Sequence, residues 1–306
     1  MASRAEIPSP PTLPLIGNLH QIPKAGLIQH LMDVARDFAD PGIFKLYFGS
    51  YVSMWVSHPD LVAELCDETR FRKIPGPGLR SVRSFAGDGL FTSFSEEANW
   101  SKAHNILLPA FSQRSMRGYY DMMVEVADAL VAKWGRLAGA EVNVPDDMTR
   151  FTLDSIAIAG FGYRFNSFEN DELDPFLESL ATALIESMNK TTRLPIQQRF
   201  AAKSKERLAA AIETMNALVD QVISERRANP TDSGDLLSLM LTAKDPQTGE
   251  RLDDLNIRYQ ILTFLIAGHE TTSGMLSFAF YHLLRNPAIL AQAYAEVDRV
   301  LPGDKR

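Results

Sequence analysis

The chain is poor in cysteine: Cys66 is its only one among 306 residues, which excludes an internal disulfide framework. It also lacks an excess of basic charge. With 38 acidic side chains against 31 basic ones, a net charge of −7 and a pI near 5.4, it carries no electrostatic footprint for nucleic acid. Lysine and arginine are scattered, so no patch for an anionic membrane is expected either. Long hydrophobic runs are missing: none approaches the roughly 18–20 residues of a membrane span. The opening stretch, MASRAEIPSPPTLPLIGN, has no apolar core fit for a signal peptide. Internal repeats and low-complexity tracts are absent. What remains is the expectation of a soluble, cytoplasmic protein. Its 45% hydrophobic and 23% charged residues give ordinary globular composition, enough for one large domain or two modest ones.

What is present is mostly helical. Residues 7–26 are punctuated by Pro8, Pro10, Pro11, Pro14 and Pro23 and read as an irregular lead-in. IFKLYF-GS-YVSMWVS (43–57) reads as two β-prone runs joined by a tight hairpin. Beyond it, Met116, Tyr120, Met123, Ala127, Leu130 and Trp134 recur at helical steps and predict one apolar face. PDDMTRFTLDSIAIAG begins with a helix-start signal, and 174–190, 203–228 and 287–300 are also helical in pattern. Breaks rich in Gly, Pro and Asn fall at 75–78, 87–89, 228–234 and 245–249. The predicted class is mainly α, with a long central helix and a small N-terminal β-hairpin region.

That central helix is GERLDDLNIRYQILTFLIAGHETTSGMLSFAFYHLLRNP, starting near Asp253 and Asp254 and ending at Asn286-Pro287. About 30 residues of helix would span roughly 45 Å. Around 259–268 it is apolar on nearly every side, the mark of a buried helix. A Gly, a His, a Glu and two Thr interrupt it at its midpoint. Gly268 and Gly274 each cost about 1 kcal/mol relative to Ala, and a buried Glu270 would resist ionising.

Three readings of that interruption compete. Thr271 and Thr272 bond back to the carbonyls of Ala267 and Gly268, bending the helix, while His269 and Glu270 find partners elsewhere. Alternatively, HETTS begins a zinc-protease H-E-x-x-H motif, but the second histidine would be Ser273, so that reading fails. In the third, Ala267-Gly268 leaves room for a flat cofactor and a diatomic ligand. Thr271 shares their face, and Glu270 connects to solvent. A hydroxyl beside a carboxyl group suits proton delivery to bound oxygen.

AGHETT (267–272) resembles the oxygen-activation motif of the haem-thiolate monooxygenases, the cytochromes P-450. WSKAHN (100–105), DGLFTS (88–93), MTRFTLDSIAIAGFGYRFNSF (148–168) and LDDLNIRYQILTFLIAGHETTSG (252–274) resemble the bacterial fatty-acid hydroxylases whose haem domain is fused to a diflavin reductase. The likeness runs in order along essentially the whole chain. It implies the cytochrome P-450 fold, b-type haem, and FAD, FMN and NADPH through a reductase, fused or separate. The partners it implies are molecular oxygen and an apolar small-molecule substrate. Thr271 and Glu270 are then catalytic, and Ala267, Gly268 and Thr272 bind the cofactor.

Further positions follow from the same resemblance. Trp100 and His104, four apart on a predicted helix, match residues at the haem propionates, which an indole N–H beside a basic ring would suit. Most of the family has Arg where His104 stands; the fatty-acid hydroxylase branch does not. Lys73 in RFRK matches another position near the propionates. Phe91 matches an aromatic overhanging the haem, and Leu79, Val82 and Leu184 match the substrate-pocket wall. Taken alone, Trp100 and these four are core residues, and Lys73 is a solvated surface lysine.

At the channel mouth the relatives hold the substrate carboxylate with an Arg and a Tyr, where this chain has Tyr51 and Trp55. Without the guanidinium the charge-assisted anchor is lost. Weaker carboxylate binding and greater tolerance of neutral or aromatic substrates are expected, with the Tyr51 hydroxyl or the nearby Lys45 as substitutes.

The family's iron-binding Phe-x-x-Gly-x-Arg-x-Cys-x-Gly loop does not occur in this sequence, so no metal ligand is assigned. Cys66, in PDLVAELCDETRF, lacks the glycine and arginine of that loop and reads as a small buried hydrophobe. Glu296 and Arg299 have the spacing of the family's Glu-x-x-Arg but read as an i,i+3 surface pair. Residues 1–306 are therefore expected to be the N-terminal part of a single haem monooxygenase domain without its proximal region. Alone, they should bind haem weakly or without thiolate ligation and should not catalyse oxygenation, with core surface exposed to aggregation. The alternative is a non-catalytic helical protein binding hydrophobic ligands.

Overall fold

The computed structural model describes residues 6–23, 26–170, 172–192, 201–231 and 234–301, with backbone alone at 191–192. Positions 24–25 of the lead-in, 232–233 of the break at 228–234, and 302–306 lie outside the described residues. The chain divides into two compact units, Met1–Lys73 and Ile74–Arg306.

In the first unit the lead-in is irregular apart from a 3-10 turn at Leu19–Gln21. It is followed by helix α1 (Leu27–Asp37), strands β1 (Ile43–Phe48) and β2 (Tyr51–Val56), and α2 (Pro59–Leu65). The hairpin forms as its sequence predicts, antiparallel, with Phe44 opposite Trp55 and Phe48 opposite Tyr51. Side chains alternate across a strand, so Tyr51 and Trp55 share the face of Phe44 and Leu46. Lys45, opposite Met54, projects from the other face. Phe44 and Leu46 are buried against Leu31 and Val34 of α1. Cys66 caps the C-terminus of α2 and is exposed, contrary to its reading as a buried hydrophobe. The short α2 buries no residue, so its end is left in solvent.

The second unit is all helical: α3 (Pro77–Ala86), α4 (Ala98–Leu107), α5 (Gln113–Arg136), α6 (Val144–Phe161), α7 (Pro175–Thr192), α8 (Ala202–Ala228), α9 (Leu236–Thr242), α10 (Asp254–Arg285) and α11 (Pro287–Val300). Local chemistry sets the boundaries. Asp253 caps α10, accepting from the amide of Asn256 at 2.8 Å, and Asn286-Pro287 ends it. Asn143 caps α6, which closes at Gly162 in the left-handed region.

Leu153 and Ala157 of α6, Leu180 of α7, Met215 of α8, and Ile261 and Leu262 of α10 meet in the principal core. The N-terminal half of α10 is thus central, as its apolar sequence predicts. On α5, however, Tyr119, Val126 and Leu130 are buried, while Met116, Tyr120 and Met123 are exposed. Only the C-terminal half of that helix packs as predicted, where Leu130 is buried and Trp134 packs beside it against Met148 and Ile158 of α6, with Val126 buried off the predicted face. From its midpoint onward α10 exposes Met275, Phe278, Tyr281 and Leu284, and α11 exposes Ile289, Tyr294 and Val297. Among the described residues no helix is long and apolar enough to cross a membrane.

Candidate functional site

α10 continues unbroken through its polar midpoint, and the polar groups there are sorted by face. His269 is buried. Its Nδ1 lies 2.7 Å from the Leu265 carbonyl, and its own carbonyl accepts from Thr152 Oγ1 of α6 at 2.9 Å. Ser273, one turn on, is buried and donates to the Glu270 carbonyl at 3.0 Å. Ala267, Glu270, Thr271 and Thr272 stand on the exposed side. Thr271 Oγ1 donates back to the Ala267 carbonyl at 2.9 Å, as the first of the three readings expects. Glu270 is not the buried carboxyl the sequence suggests. It borders an open groove of about 420 Å³ with Thr149, Ser273, Ser277 and Tyr281.

Gly268 has a packing reason to be glycine. A Cβ there would stand 2.9 Å from Cγ1 of Ile156 on α6. Beside this contact lies a largely apolar cavity of about 310 Å³, bordered by Phe111, Ile156, Gly160, Gly268 and Thr272, with Met116 and Met123 of α5 on its rim. Phe111, in the 3-10 turn that continues α4, stacks on Phe264 of α10 with ring centroids 5.9 Å apart. Space for a flat, apolar group therefore opens along Gly268 and Thr272, next to the exposed Ala267–Thr271 strip.

On α4, Trp100 and His104 share a face as predicted, their rings stacked at 5.2 Å and 14°. Trp100 is half-buried and His104 exposed, so neither is a core residue. Val82 lies in the principal core, with Leu184 of α7 packed against it, and Leu79 is half-buried on α3. Phe91 departs from its reading as core: it is 47% exposed, presented by the turn that follows α3. Lys73, Tyr51 and Trp55 belong to the first unit. Lys73 is exposed, yet partial desolvation lowers its ammonium pKa. Tyr51 is exposed, whereas Trp55 is half-buried with its indole N–H unpaired among the described residues.

The family model for Cytochrome P450 matches residues 7–306. The chain belongs to the cytochrome P450 family. It is 53% identical over 306 residues to the bifunctional cytochrome P450/NADPH–P450 reductase 2 of Bacillus subtilis (strain 168), covering 99% of this chain and 29% of that protein. A bifunctional cytochrome P450/NADPH–P450 reductase of Fusarium oxysporum is 43% identical over 305 residues, covering 98% of this chain and 28% of that one. Among solved structures, the crystal structure of the cytochrome P450DA heme domain superposes with a TM-score of 0.90 at 54% identity, over 97% of this chain and 64% of that chain. This P450 chain thus spans less than a third of those fusion relatives and less than two thirds of that heme domain.

Phe111 and Ile156, which border the cavity, and Asn256 and Gln260, which are buried on α10, are not singled out by sequence pattern. The two aromatic and aliphatic residues carry no polar signal. The two amides stand i,i+4 in the first two turns of α10, where polar residues are ordinary, so only their burial marks them.

Proposed function

We propose that this chain forms the oxygen-binding side of a haem-dependent monooxygenase that hydroxylates fatty acids or similar apolar substrates. NADPH electrons would arrive through the FAD and FMN of a diflavin reductase. Family membership supports the chemistry over the non-catalytic alternative, and the P450–reductase fusions among the relatives support the partner. The observation that carries the reading is the exposed Ala267–Thr271 face of α10, beside a cavity walled by Phe111, Ile156, Gly268 and Thr272.

The residues on this side fit a b-type haem. The cavity and the small residues suit one edge and face of a flat apolar ring. Trp100 and His104 have the donors for its propionates. No residue here fits as the thiolate ligand to the iron, since Cys66 is an exposed helix cap in the first unit. When bound, haem supplies insertion of one oxygen atom into a C–H bond while the other is reduced to water.

The chain's own groups supply position and protons. Ala267 and Gly268 keep the oxygen pocket open. Thr271 Oγ1 holds a proton at that pocket, and the Glu270 carboxylate, open to its groove, relays protons from solvent. Phe91 orients the substrate chain, and Leu79, Val82 and Leu184 exclude water from it. Tyr51 and Trp55 replace a charged anchor at the channel mouth, which leaves room for neutral substrates.

The test joins residues 1–306 to the cysteine-loop region of a fusion relative and uses that haem-loaded protein with a diflavin reductase, NADPH and dodecanoate as probe. Thr271→Val should lower product formed per NADPH consumed by about 10-fold or more, and Thr271→Ser should retain most of it. Absence of any oxygenated product would overturn the reading.

A further inference from the structure

The turn between α3 and α4 lies on α10 at unusually close range. Gly87, at φ +46°, faces the Tyr259 ring so closely that a Cβ would stand 2.1 Å from it. A Cβ on Gly89 would stand 2.2 Å from Thr263 Oγ1 and 2.9 Å from the Tyr259 carbonyl. That approach lets the amide of Leu90 donate to Gln260 Oε1 at 3.0 Å. Gln260 Nε2 donates to Asn256 Oδ1 at 3.0 Å, and Asn256 Nδ2 to Asp88 Oδ1 at 2.9 Å. Asn99 Nδ2 completes the row on Asp88 Oδ2 at 2.7 Å.

The row has only one polarity. A backbone amide can only donate, so Gln260 must present its oxygen to Leu90 and its NH2 to Asn256. Asn256 must then present its own NH2 to Asp88, whose carboxylate oxygens accept from it and from Asn99. On the other side of Phe91, Thr92 and Ser93 are wholly buried. Their hydroxyls donate to the Gly87 and Gly89 carbonyls at 2.8 and 3.0 Å. Hydrogen bonds hold the Leu90 amide and the Thr92 and Ser93 hydroxyls on either side of Phe91, which is itself 47% exposed.

A turn that merely linked two helices would not require Asn256 and Gln260 to be buried beneath it in the first two turns of α10, because an unmatched buried amide is costly. We propose that Gln260, oriented by Asn256 and Asp88, is a positioning residue that fixes the Phe91 ring. On the monooxygenase reading, from which this part of the inference follows, it thereby determines which substrate carbon is hydroxylated.

The test labels the 306-residue chain with 4-fluorophenylalanine and assigns the Phe91 fluorine signal with Phe91→Leu. Gln260→Met keeps length but removes the acceptor. It should shift or broaden the Phe91 signal and lower hydrogen-exchange protection of the Leu90 amide by about 10-fold, with protection of Leu153 in the core retained. Gln260→Glu keeps an acceptor for Leu90 and should leave the Phe91 signal closer to its original place. If Gln260→Met does not fold, Asn99→Ala at the half-buried end of the row should weaken Leu90 protection and shift Phe91 in the same sense. An unmoved Phe91 signal with full Leu90 protection in whichever variant folds would overturn the proposal. In the haem-loaded protein with its reductase, Gln260→Met should spread dodecanoate hydroxylation over neighbouring carbons, and Phe91→Ala should abolish that sensitivity. Absence of product from the unaltered protein would sink the monooxygenase reading, while fluorine shifts and exchange would still decide the positioning role.

Discussion

Gly268 of α10 approaches Ile156 of α6 so closely that a Cβ on the glycine would stand 2.9 Å from Cγ1 and 3.2 Å from Cβ of the isoleucine. Six residues along the same helix, a Cβ on Gly274 would meet nothing within 4 Å. Both glycines carry the same intrinsic helix cost of about 1 kcal/mol relative to Ala, so their surroundings decide the sign of substitution.

Gly274→Ala should therefore stabilise the protein by about 0.5–1 kcal/mol. Gly268→Ala should destabilise it by about 1 kcal/mol, because overpacking against a branched side chain outweighs the propensity gain. Combining it with Ile156→Ala should cost about 1 kcal/mol less than the sum of the two single changes. Urea midpoints of the four variants measure this, and equal signs for the two glycines would refute the packing argument.

The bracket around Phe91 also includes an ion pair whose pH dependence has a defined sign. Arg83 donates to both carboxylate oxygens of Glu97, at 2.9 and 2.6 Å, and to the Thr92 carbonyl at 2.8 Å. The Arg83 hydrogen bond holds the Glu97 carboxyl below its ordinary value of 4.5. A carboxylate with a depressed folded pKa stabilises the fold above the ordinary range and loses that contribution as pH falls through the folded value. Glu97→Gln should cost about 1 kcal/mol at neutral pH, given the partial exposure of the pair. The difference from the unaltered protein should fade below about pH 4. A variant gap that stays constant from neutral to acid pH would contradict the ion-pair origin.

Much of this architecture is legible in the residues. Asp253 and Asn286-Pro287 bound α10 where their capping chemistry predicts, and Gly49-Ser50 turns the hairpin as predicted. The polar midpoint of α10 flags the site because burying such groups is costly. Less legible is how faces are shared between distant elements. Sequence spacing puts Glu270 on a buried helix but does not reveal that its side of that helix lies open. Phe91 reads as core because aromatic residues usually are, yet the turn beneath it takes the burial instead. Gly268 reads as space for a cofactor, and the structure adds Ile156, which no local pattern announces.

The hairpin makes a sharp statement about carboxylate recognition. Tyr51 is 57% exposed on the face it shares with Trp55, whereas Lys45 projects from the opposite face and is not placed to assist it. Tyr51→Arg should lower the dissociation constant for dodecanoate by about 5-fold, through a charge-assisted hydrogen bond at an exposed site. Binding of its methyl ester should not change, and Lys45→Ala should leave both constants alone. Spectral titration of the haem-loaded protein reads all three, and an unchanged dodecanoate constant in Tyr51→Arg would remove the anchor argument.

The chain's single thiol allows a direct check on haem ligation. Cys66 is exposed at the end of α2, so one equivalent should react with a thiol reagent in the native state. Cys66→Ser should change stability by less than about 0.5 kcal/mol, as at other surface positions. Cys66 has neither the glycine nor the arginine of the family's cysteine loop around it, so it is not expected to ligate iron. Haem added to the 306-residue chain should therefore bind weakly, through Trp100, His104 and the α10 face, without a thiolate-type carbon monoxide difference spectrum. Cys66→Ser should leave that spectrum as it is. A thiolate-type band abolished by Cys66→Ser would show instead that this exposed cysteine reaches the iron, and the assignment of α10 as a face without its axial partner would fall.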